Sequence, residues 1–340
     1  MSSPPATTDP APAAVRRAVR AALVGLPAVP VLVACSGGAD SMALAAAALA
    51  VCRDRPVHAA VVDHGLQDGS DRLAAATAEV LAGWGIAAAV HPVSVEGAGG
   101  LEAAARRARH AALLAARPQP DSPVLLGHTR DDQAETVLLG LGRGSGARSL
   151  AGMRRWDPPW LRPLLGVRRA DTRAACAAQG IPVWDDPHNA DPRFTRVRLR
   201  HEVLPLLEEV LGGGVAAALA RTAEQLREDT DALDELAAAA LADTQGTDTL
   251  PLAPLADLVP AVRRRVLRAW LLGRGVTGLT ATHLAAADVL AARGPDRGGV
   301  ALPGGLEVLR ARGTLSVRKA GWPADRPCPH AQEDAHRVRR

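Results

Sequence analysis

The chain has no tyrosine, one phenylalanine and four cysteines, and among its forty basic residues only Lys319 is a lysine. Each shortage removes a class of explanation. Cys35, Cys52, Cys176 and Cys328 form no C-x-x-C pair and no even framework, so neither a zinc site nor a disulfide scaffold is expected. The pattern G-x-x-x-x-G-K-[ST] is absent and no lysine stands near a glycine-rich turn, which excludes a P-loop NTPase. No stretch is long and apolar enough to span a membrane. Residues 1–12 are rich in Ser, Pro, Thr and Ala but lack a basic start and an apolar core. They read as a disordered tail rather than a signal peptide, and the expected location is the cytoplasm.

The 340 residues are 48% hydrophobic and 22% charged, enough for two domains and a sizeable core. Apolar runs at 29–34, 57–62, 87–93 and 124–126 read as strands, and helical patterns at 42–51, 73–84, 101–116 and 132–141 fall between or after them. Strands alternating with helices of this length predict an α/β fold, a parallel sheet with helices on both faces. Ligands in such folds bind at the carboxyl ends of the strands. That rule gathers residues 36–41, Asp63 with His64, and residues 128–132 along one edge.

The most informative of these segments is Cys35-Ser36-Gly37-Gly38-Ala39-Asp40-Ser41, set between a strand and a helix. Two adjacent glycines let the backbone turn with positive φ and bring several N–H groups to one point, where the following helix adds partial positive charge. Pyrophosphate is the natural occupant. Five positions of S-G-G-x-D-S are fixed, and at average residue usage an accidental match in a chain of this length is on the order of 10⁻³ or less. A plain structural turn is the alternative, but turns rarely combine Ser-Gly-Gly with Asp-Ser. Asp40 suits either a helix cap or a magnesium ligand; Ser41 is itself a competent cap, which favours the metal. His64 reads as a pocket-lining residue.

Asp132 and Glu135 stand three apart on a predicted helix, so both carboxylates face one way and can hold an ammonium group. An amine with an ordinary pKa of about 10.4 must lose a proton before it attacks, and a carboxylate beside it can position it and help remove that proton. Capping by Asp131 or Asp132, with Glu135 near the capping-box position, is the structural alternative and is compatible with binding. The net charge is only +4, but arginines cluster at 106, 107 and 109, at 154 and 155, at 193, 196, 198 and 200, and at 263–265. Such clusters suit phosphate and RNA, although arginine is this chain's habitual basic residue and each cluster is equally well a solvated surface.

The S-G-G-x-D-S run resembles the loop of the N-type ATP pyrophosphatases, which cleave ATP between the α- and β-phosphates and transfer AMP to a substrate oxygen. Together with Val62-Asp63-His64-Gly65-Leu66, residues 128–136 (H-T-R-D-D-Q-A-E-T), Arg143-Gly144-Ser145-Gly146, Leu150-Ala151-Gly152-Met153, Arg162-Pro163-Leu164-Leu165 and Asp185-Asp186-Pro187-His188-Asn189, it resembles the ordered blocks of the tRNA(Ile)-lysidine synthetases over residues 29–207. The resemblance implies an adenine nucleotide alpha hydrolase-like (Rossmann-like) fold and a two-step reaction. ATP with Mg2+ adenylates C2 of the wobble cytidine in the CAU anticodon of isoleucine tRNA, and free L-lysine then displaces AMP. It implies ATP binding by Ser36, Gly37, Gly38, Ala39, Asp40 and Ser41 with Asp63 and His64, metal at Asp40, and lysine at Asp132 and Glu135. Arg106 and Arg109 match the family's A-R-x-x-R-Y helix, with His110 where tyrosine is usual, and are expected on ATP phosphates or the RNA backbone. Arg196 and Arg200 match an R-N-x-x-R block in which Val197 replaces the asparagine.

The resemblance leaves two other readings open. A 2-thiocytidine synthetase shares the loop but resembles enzymes with paired cysteines for an iron–sulfur cluster, and a non-enzymatic nucleotide-binding protein would keep the loop without the acid pair. After residue 207 the character changes. Helical patterns at 215–241 and 262–272, then a small hairpin over 306–310 and 314–318, read as a smaller, mainly helical second domain. The expected divisions are a flexible tail and first helix over 1–28, a catalytic domain over 29–207, a tRNA-binding domain over 208–319 and a disordered tail over 320–340. From sequence alone the second domain serves equally well as a homodimerisation module. If it holds tRNA, Arg263, Arg264 and Arg265 are its candidate contacts.

Overall fold

A computed structural model of the chain describes residues 9–320, except 66, 68, 97–99, 145, 187–190, 243–247 and 294–297. The tail expected over 320–340 lies outside the described residues save for Ala320. The chain divides into two compact units, Met1–Gln225 and Leu226–Arg340.

The first unit runs α1 (Pro10–Leu23), β1 (Val31–Cys35), α2 (Ala39–Val51), β2 (Val57–Asp63), α3 (Ser70–Gly83), β3 (Ala87–Pro92), α4 (Leu101–Ala115), β4 (Val124–Leu125), α5 (Arg130–Gly142), α6 (Ala147–Leu150), β5 (Trp156–Asp157), β6 (Trp160–Leu161), α7 (Arg169–Ala178), α8 (Thr195–Arg198) and α9 (Leu204–Val210), and enters α10 (Val215–Leu241). Its six strands lie in the order β3-β2-β1-β4-β6-β5. All pairs are parallel except β5 with β6. Along β1 all five side chains are buried, alternating between two cores. Val31, Val33 and Cys35 pack with the residues of α1, α2 and α7, while Leu32 and Ala34 pack with Leu113, Val124 and Leu126. A strand apolar at every position is what a parallel sheet covered on both sides requires. Strand order reverses at β1, flanked by β2 on one side and β4 on the other, so the crevice beyond its carboxyl end is the topological switch point where such sheets take ligands.

Two local departures from the sequence reading have simple causes. The tail expected to reach residue 12 gives way to helix at Pro10: Asp9 accepts the Ala11 N–H at 2.8 Å and Pro10 fills the first turn, while Val15, Val19, Ala22 and Leu23 are buried in the core. Between α8 and α9 the helix passes through a π-helical turn, Leu199–Val203. Its wider winding shifts the side chains Arg200 and His201 relative to a regular helix.

The second unit holds the remainder of α10, then β7 (Thr249–Pro251), α11 (Ala253–Ala256), α12 (Pro260–Gly273), α13 (Ala281–Arg293), β8 (Gly298–Leu302), β9 (Leu306–Ala311) and β10 (Thr314–Lys319). The expected hairpin is present as β9 and β10, at the centre of a four-stranded antiparallel sheet ordered β7-β10-β9-β8. Leu250, Val308 and Leu315 from the sheet and Val266, Leu267, Trp270 and Leu271 from α12 share one core. Among the described residues no single helix is long and apolar enough to cross a membrane.

Candidate active site

Beyond the end of β1 the backbone turns through Gly37, at φ +82°, into α2, whose N-cap is Gly38. A Cβ at Gly37 would stand 2.8 Å from Thr77 Oγ1, so position 37 demands glycine on both conformational and steric grounds. Neither Asp40 nor Ser41 caps α2. The Ser41 hydroxyl instead donates to the Gly38 carbonyl at 2.9 Å and accepts the Ser36 N–H at 3.1 Å, tying the loop into a closed turn. Gly127, just past β4, backs this turn: a Cβ there would lie 3.1–3.2 Å from the Asp40 carbonyl and the Ser41 nitrogen.

A cavity of about 540 Å³ opens over the loop, lined among others by Ser36, Gly38, Ala39, Asp40, Ser41, Arg109, His128, Asp132, Arg169 and Arg200. A second hollow of about 310 Å³, lined by Cys35, Ala60, Val62, His64 and Leu113, shares Ala34, Ser36, Gly38, Arg109, Trp184 and Asp186 with it. Three polar groups in these walls await a partner. His64 Nδ1 and His128 Nδ1 are buried without a hydrogen bond. Arg109, held by α4, has no carboxylate partner among the described residues, and burial followed by neighbouring Arg106 lowers its pKa. An unpaired guanidinium beside a glycine turn that opens a helix fits an anion. Burial pushes His128 down to about 3 and lowers His64 as well, so both rings are neutral at physiological pH.

The acid pair has a more developed setting than the sequence suggests. Thr129, not an aspartate, caps α5, and Asp132 completes the capping box by accepting the Thr129 N–H at 2.7 Å and hydroxyl at 2.8 Å, both through Oδ2. Asp131 reaches the next helix and accepts the Arg169 N–H of α7 at 2.9 Å. Asp132 Oδ1 faces Arg169 Nη2 at 2.5 Å and Arg200 Nη2 at 3.5 Å. Glu135, wholly buried, receives Arg200 Nε at 2.8 Å and Arg169 Nη1 at 3.3 Å. Arg169 Nε also lies 3.5 Å from Asp40 Oδ2, while Asp40 Oδ1 accepts the Thr172 hydroxyl. Burial raises the Asp40 carboxyl, against the lowering pull of Thr172 and Arg169. Burial works on Asp132 in the same sense but is outweighed by Arg169 and the Thr129 N–H, which hold it below the usual range.

Of the sequence-expected residues, then, Ser36, Gly38, Ala39, Asp40, Ser41, Arg109 and Asp132 line one cavity, His64 lines its neighbour, and Glu135 sits behind Arg169 and Arg200. Asp63 closes the end of β2, accepting the Gly65 N–H at 3.0 Å. Arg106 is exposed on α4, and neither it nor Arg196 lines the cavities. His110 packs its ring on Trp160, centroids 4.4 Å apart. Arg169, Arg173 and Trp184 line the larger cavity without having been singled out by sequence reasoning. The motif 128–136 is joined to Leu150-Ala151-Gly152-Met153 by buried Gln133, which donates to the Met153 carbonyl at 3.1 Å and accepts its N–H at 2.7 Å. The arginines expected to face RNA in the second unit are engaged at home: Arg263 meets Asp288 at 2.6 Å and Arg265 meets Asp234 at 3.0 Å. Residues 187–190 of the Asp185-Asp186-Pro187-His188-Asn189 block, Ser145 and Leu66 lie outside the described residues.

The sequence matches the PP-loop domain family over residues 13–207 and the TilS substrate binding domain over residues 250–316. It is 60% identical to a tRNA(Ile)-lysidine synthase of Mycolicibacterium paratuberculosis over 81% of this chain and 84% of that one. It is 56% identical to that of Rhodococcus erythropolis over 90% of this chain and 95% of that one. In fold it is similar to the U34-tRNA thiolase NcsA of Methanococcus maripaludis, with a TM-score of 0.54 at 17% identity over 64% of this chain and 79% of that chain. A PP-loop domain spanning more than half the chain, together with this identity over nearly the whole length of its relatives, places the protein in the tRNA(Ile)-lysidine synthase family.

Proposed function

We propose that the protein uses ATP to adenylate C2 of the wobble cytidine in the CAU anticodon of isoleucine tRNA, and then joins free L-lysine there with release of AMP. The observation that carries this reading is one cavity holding both a phosphate-binding turn, residues 36–41, and the Asp132 carboxylate, with unpaired Arg109 between the two hollows. The turn's N–H groups and Arg109 are suited to the phosphates, where they stabilise the charge on departing pyrophosphate. Asp40, in the first turn of α2 beside the phosphate turn, is the carboxylate that would hold Mg2+, a metal that takes one or two protein carboxylates. When bound, the metal withdraws charge from the phosphates. Asp132 and Glu135 receive the lysine ammonium, and Asp132, the one of the two that lines the cavity, takes a proton as the amine attacks. Residues 29–207 thus carry the chemistry and residues 208–319 hold the tRNA. The thiolase it resembles in fold carries a 4Fe-4S cluster, whereas Cys35, Cys52 and Cys176 are buried free thiols.

The test is incubation with ATP, magnesium, radiolabelled lysine and transcripts of the CAU-anticodon isoleucine and methionine tRNAs. Acid-precipitable label in the isoleucine transcript alone is the expected result. Pyrophosphate release without label would reassign the nucleophile, and neither signal would reduce the protein to a nucleotide binder.

A further inference from the structure

We propose that Arg169 closes the amine site in the nucleotide-free enzyme, and that phosphates arriving at the 36–41 turn draw its guanidinium away, so that lysine binds after ATP. This rests on the assignment of Asp132 and Glu135 to the lysine ammonium.

Two carboxylates, Asp132 and Glu135, face two guanidiniums, Arg169 and Arg200, and Asp40 lies on the other side of Arg169. Glu135 is fully buried and Asp132 nearly so. Arg169 Nη2 and Nη1 stand at Asp132 Oδ1 and Glu135 Oε1, the acceptor positions that an ammonium would need. An ammonium is therefore admitted only when one guanidinium leaves. With Arg169 turned away, Asp132 Oδ1 and Glu135 Oε1 each lose one guanidinium donor, and the ammonium takes its place beside Arg200.

The geometry marks Arg169 as the one that moves. Arg200 grips Glu135 with Nε at 2.8 Å and Nη2 at 3.3 Å and has no contact to Asp40. Arg169 alone spans both halves of the cavity: Nη2 and Nη1 reach Asp132 and Glu135, and Nε stands 3.5 Å from Asp40 in the first turn of α2. Its backbone is fixed. Asp131 holds its N–H at 2.9 Å, and as residue 169 opens α7 the change needed is a side-chain rotation about a fixed Cα. Phosphate oxygens at the turn offer charge-assisted bonds on the Asp40 side, which compensate for those surrendered at Asp132 and Glu135. Arg169 is thus a positioning residue that couples nucleotide occupancy to amine access. By linkage, lysine tightens nucleotide binding by the same factor.

Equilibrium dialysis of labelled lysine against the full chain, with and without α,β-methylene-ATP and magnesium, measures the coupling. Wild type should bind lysine about tenfold or more tightly with the analogue, within the usual range of such couplings. Arg169→Gln should bind lysine without nucleotide as tightly as wild type does with it, and Arg169→Lys, which leaves a cation in the site, should retain the nucleotide dependence. Equal affinity with and without the analogue in wild type, or undiminished dependence in Arg169→Gln, overturns the proposal. The wild-type measurement decides the matter even if the glutamine variant does not fold. If wild type binds no lysine with analogue and tRNA present together, the assignment of the amine site fails and the gate fails with it. Lysine incorporation that persists without nucleotide coupling refutes the gate alone.

Discussion

The two glycines of the phosphate turn should respond oppositely to alanine. At Gly37 the backbone is left-handed, φ +82°, a conformation that costs an L-residue about 1–2 kcal/mol. The added methyl would also stand 2.8 Å from Thr77 Oγ1, on a buried, β-branched side chain with little room to turn. Forcing an extra carbon into such packing costs about 1–3 kcal/mol. Gly37→Ala should therefore lose about 2–5 kcal/mol. At Gly38 φ is −72°, and the nearest atoms to a Cβ, Ser36 Oγ and the Trp184 carbonyl, lie at 3.6 and 3.8 Å, so Gly38→Ala should fall within about 0.5 kcal/mol of wild type. Urea denaturation followed by circular dichroism gives both values. The double variant Gly37→Ala with Thr77→Ala should recover the steric part, after correction for Thr77→Ala alone, and leave the conformational part. A Gly37→Ala protein as stable as Gly38→Ala, or a double variant with no coupling, would refute this account of the turn.

Asp132→Asn keeps an acceptor for the Thr129 N–H but removes the charge facing Arg169 and Arg200; losing one charge-assisted hydrogen bond, about 2 kcal/mol, should raise the KM for lysine roughly 30-fold. tRNA-dependent ATP–pyrophosphate exchange should survive, and loss of exchange with unchanged lysine dependence would contradict the division of roles. Gln133→Leu leaves the Met153 N–H and carbonyl unpaired, so stability should drop by about 2–5 kcal/mol in urea; a loss below 1 kcal/mol would show that water replaces the clamp. Acidification should destabilise the fold. His128 titrates near 6.5 when unfolded and is pushed down to about 3 by burial in the folded chain, so its contribution is whole above pH 6.5 and lost as pH falls toward 3. His128→Asn should flatten the dependence of stability between pH 5 and 6 by about 1.4 kcal/mol per pH unit, and an unchanged slope would exclude His128 as the cause. Arg263→Ala, which removes the 2.6 Å partner of Asp288 but leaves Arg264 at 3.6 Å, should cost about 2 kcal/mol and leave the salt slope of tRNA binding unchanged; a slope reduced by about one would return Arg263 to the RNA.

What the sequence shows of this site follows from how each signal arises. The turn at 36–41 is legible because its backbone needs glycine where a side chain cannot fit, and strand-to-helix context points to an anion. The alternation of apolar runs likewise places β1 to β4 within one or two residues, since burial on both sheet faces leaves no polar position in β1. Arg169 is different. Among so many arginines it has no compositional mark, and its meaning comes from carboxylates 34 to 129 positions away that only the fold assembles. The capping box had a local signature, Thr129 followed three residues later by Asp132, yet attention to the acid pair as a binding element obscures that one oxygen of Asp132 serves the helix and the other the cavity. This division has a mechanistic consequence. A carboxylate whose Oδ2 is held by two Thr129 donors cannot rotate when an amine arrives, so Oδ1 keeps its direction into the cavity. The structural use of Asp132 fixes the geometry on which its chemical use depends, and the two readings that compete in the sequence are parts of one arrangement.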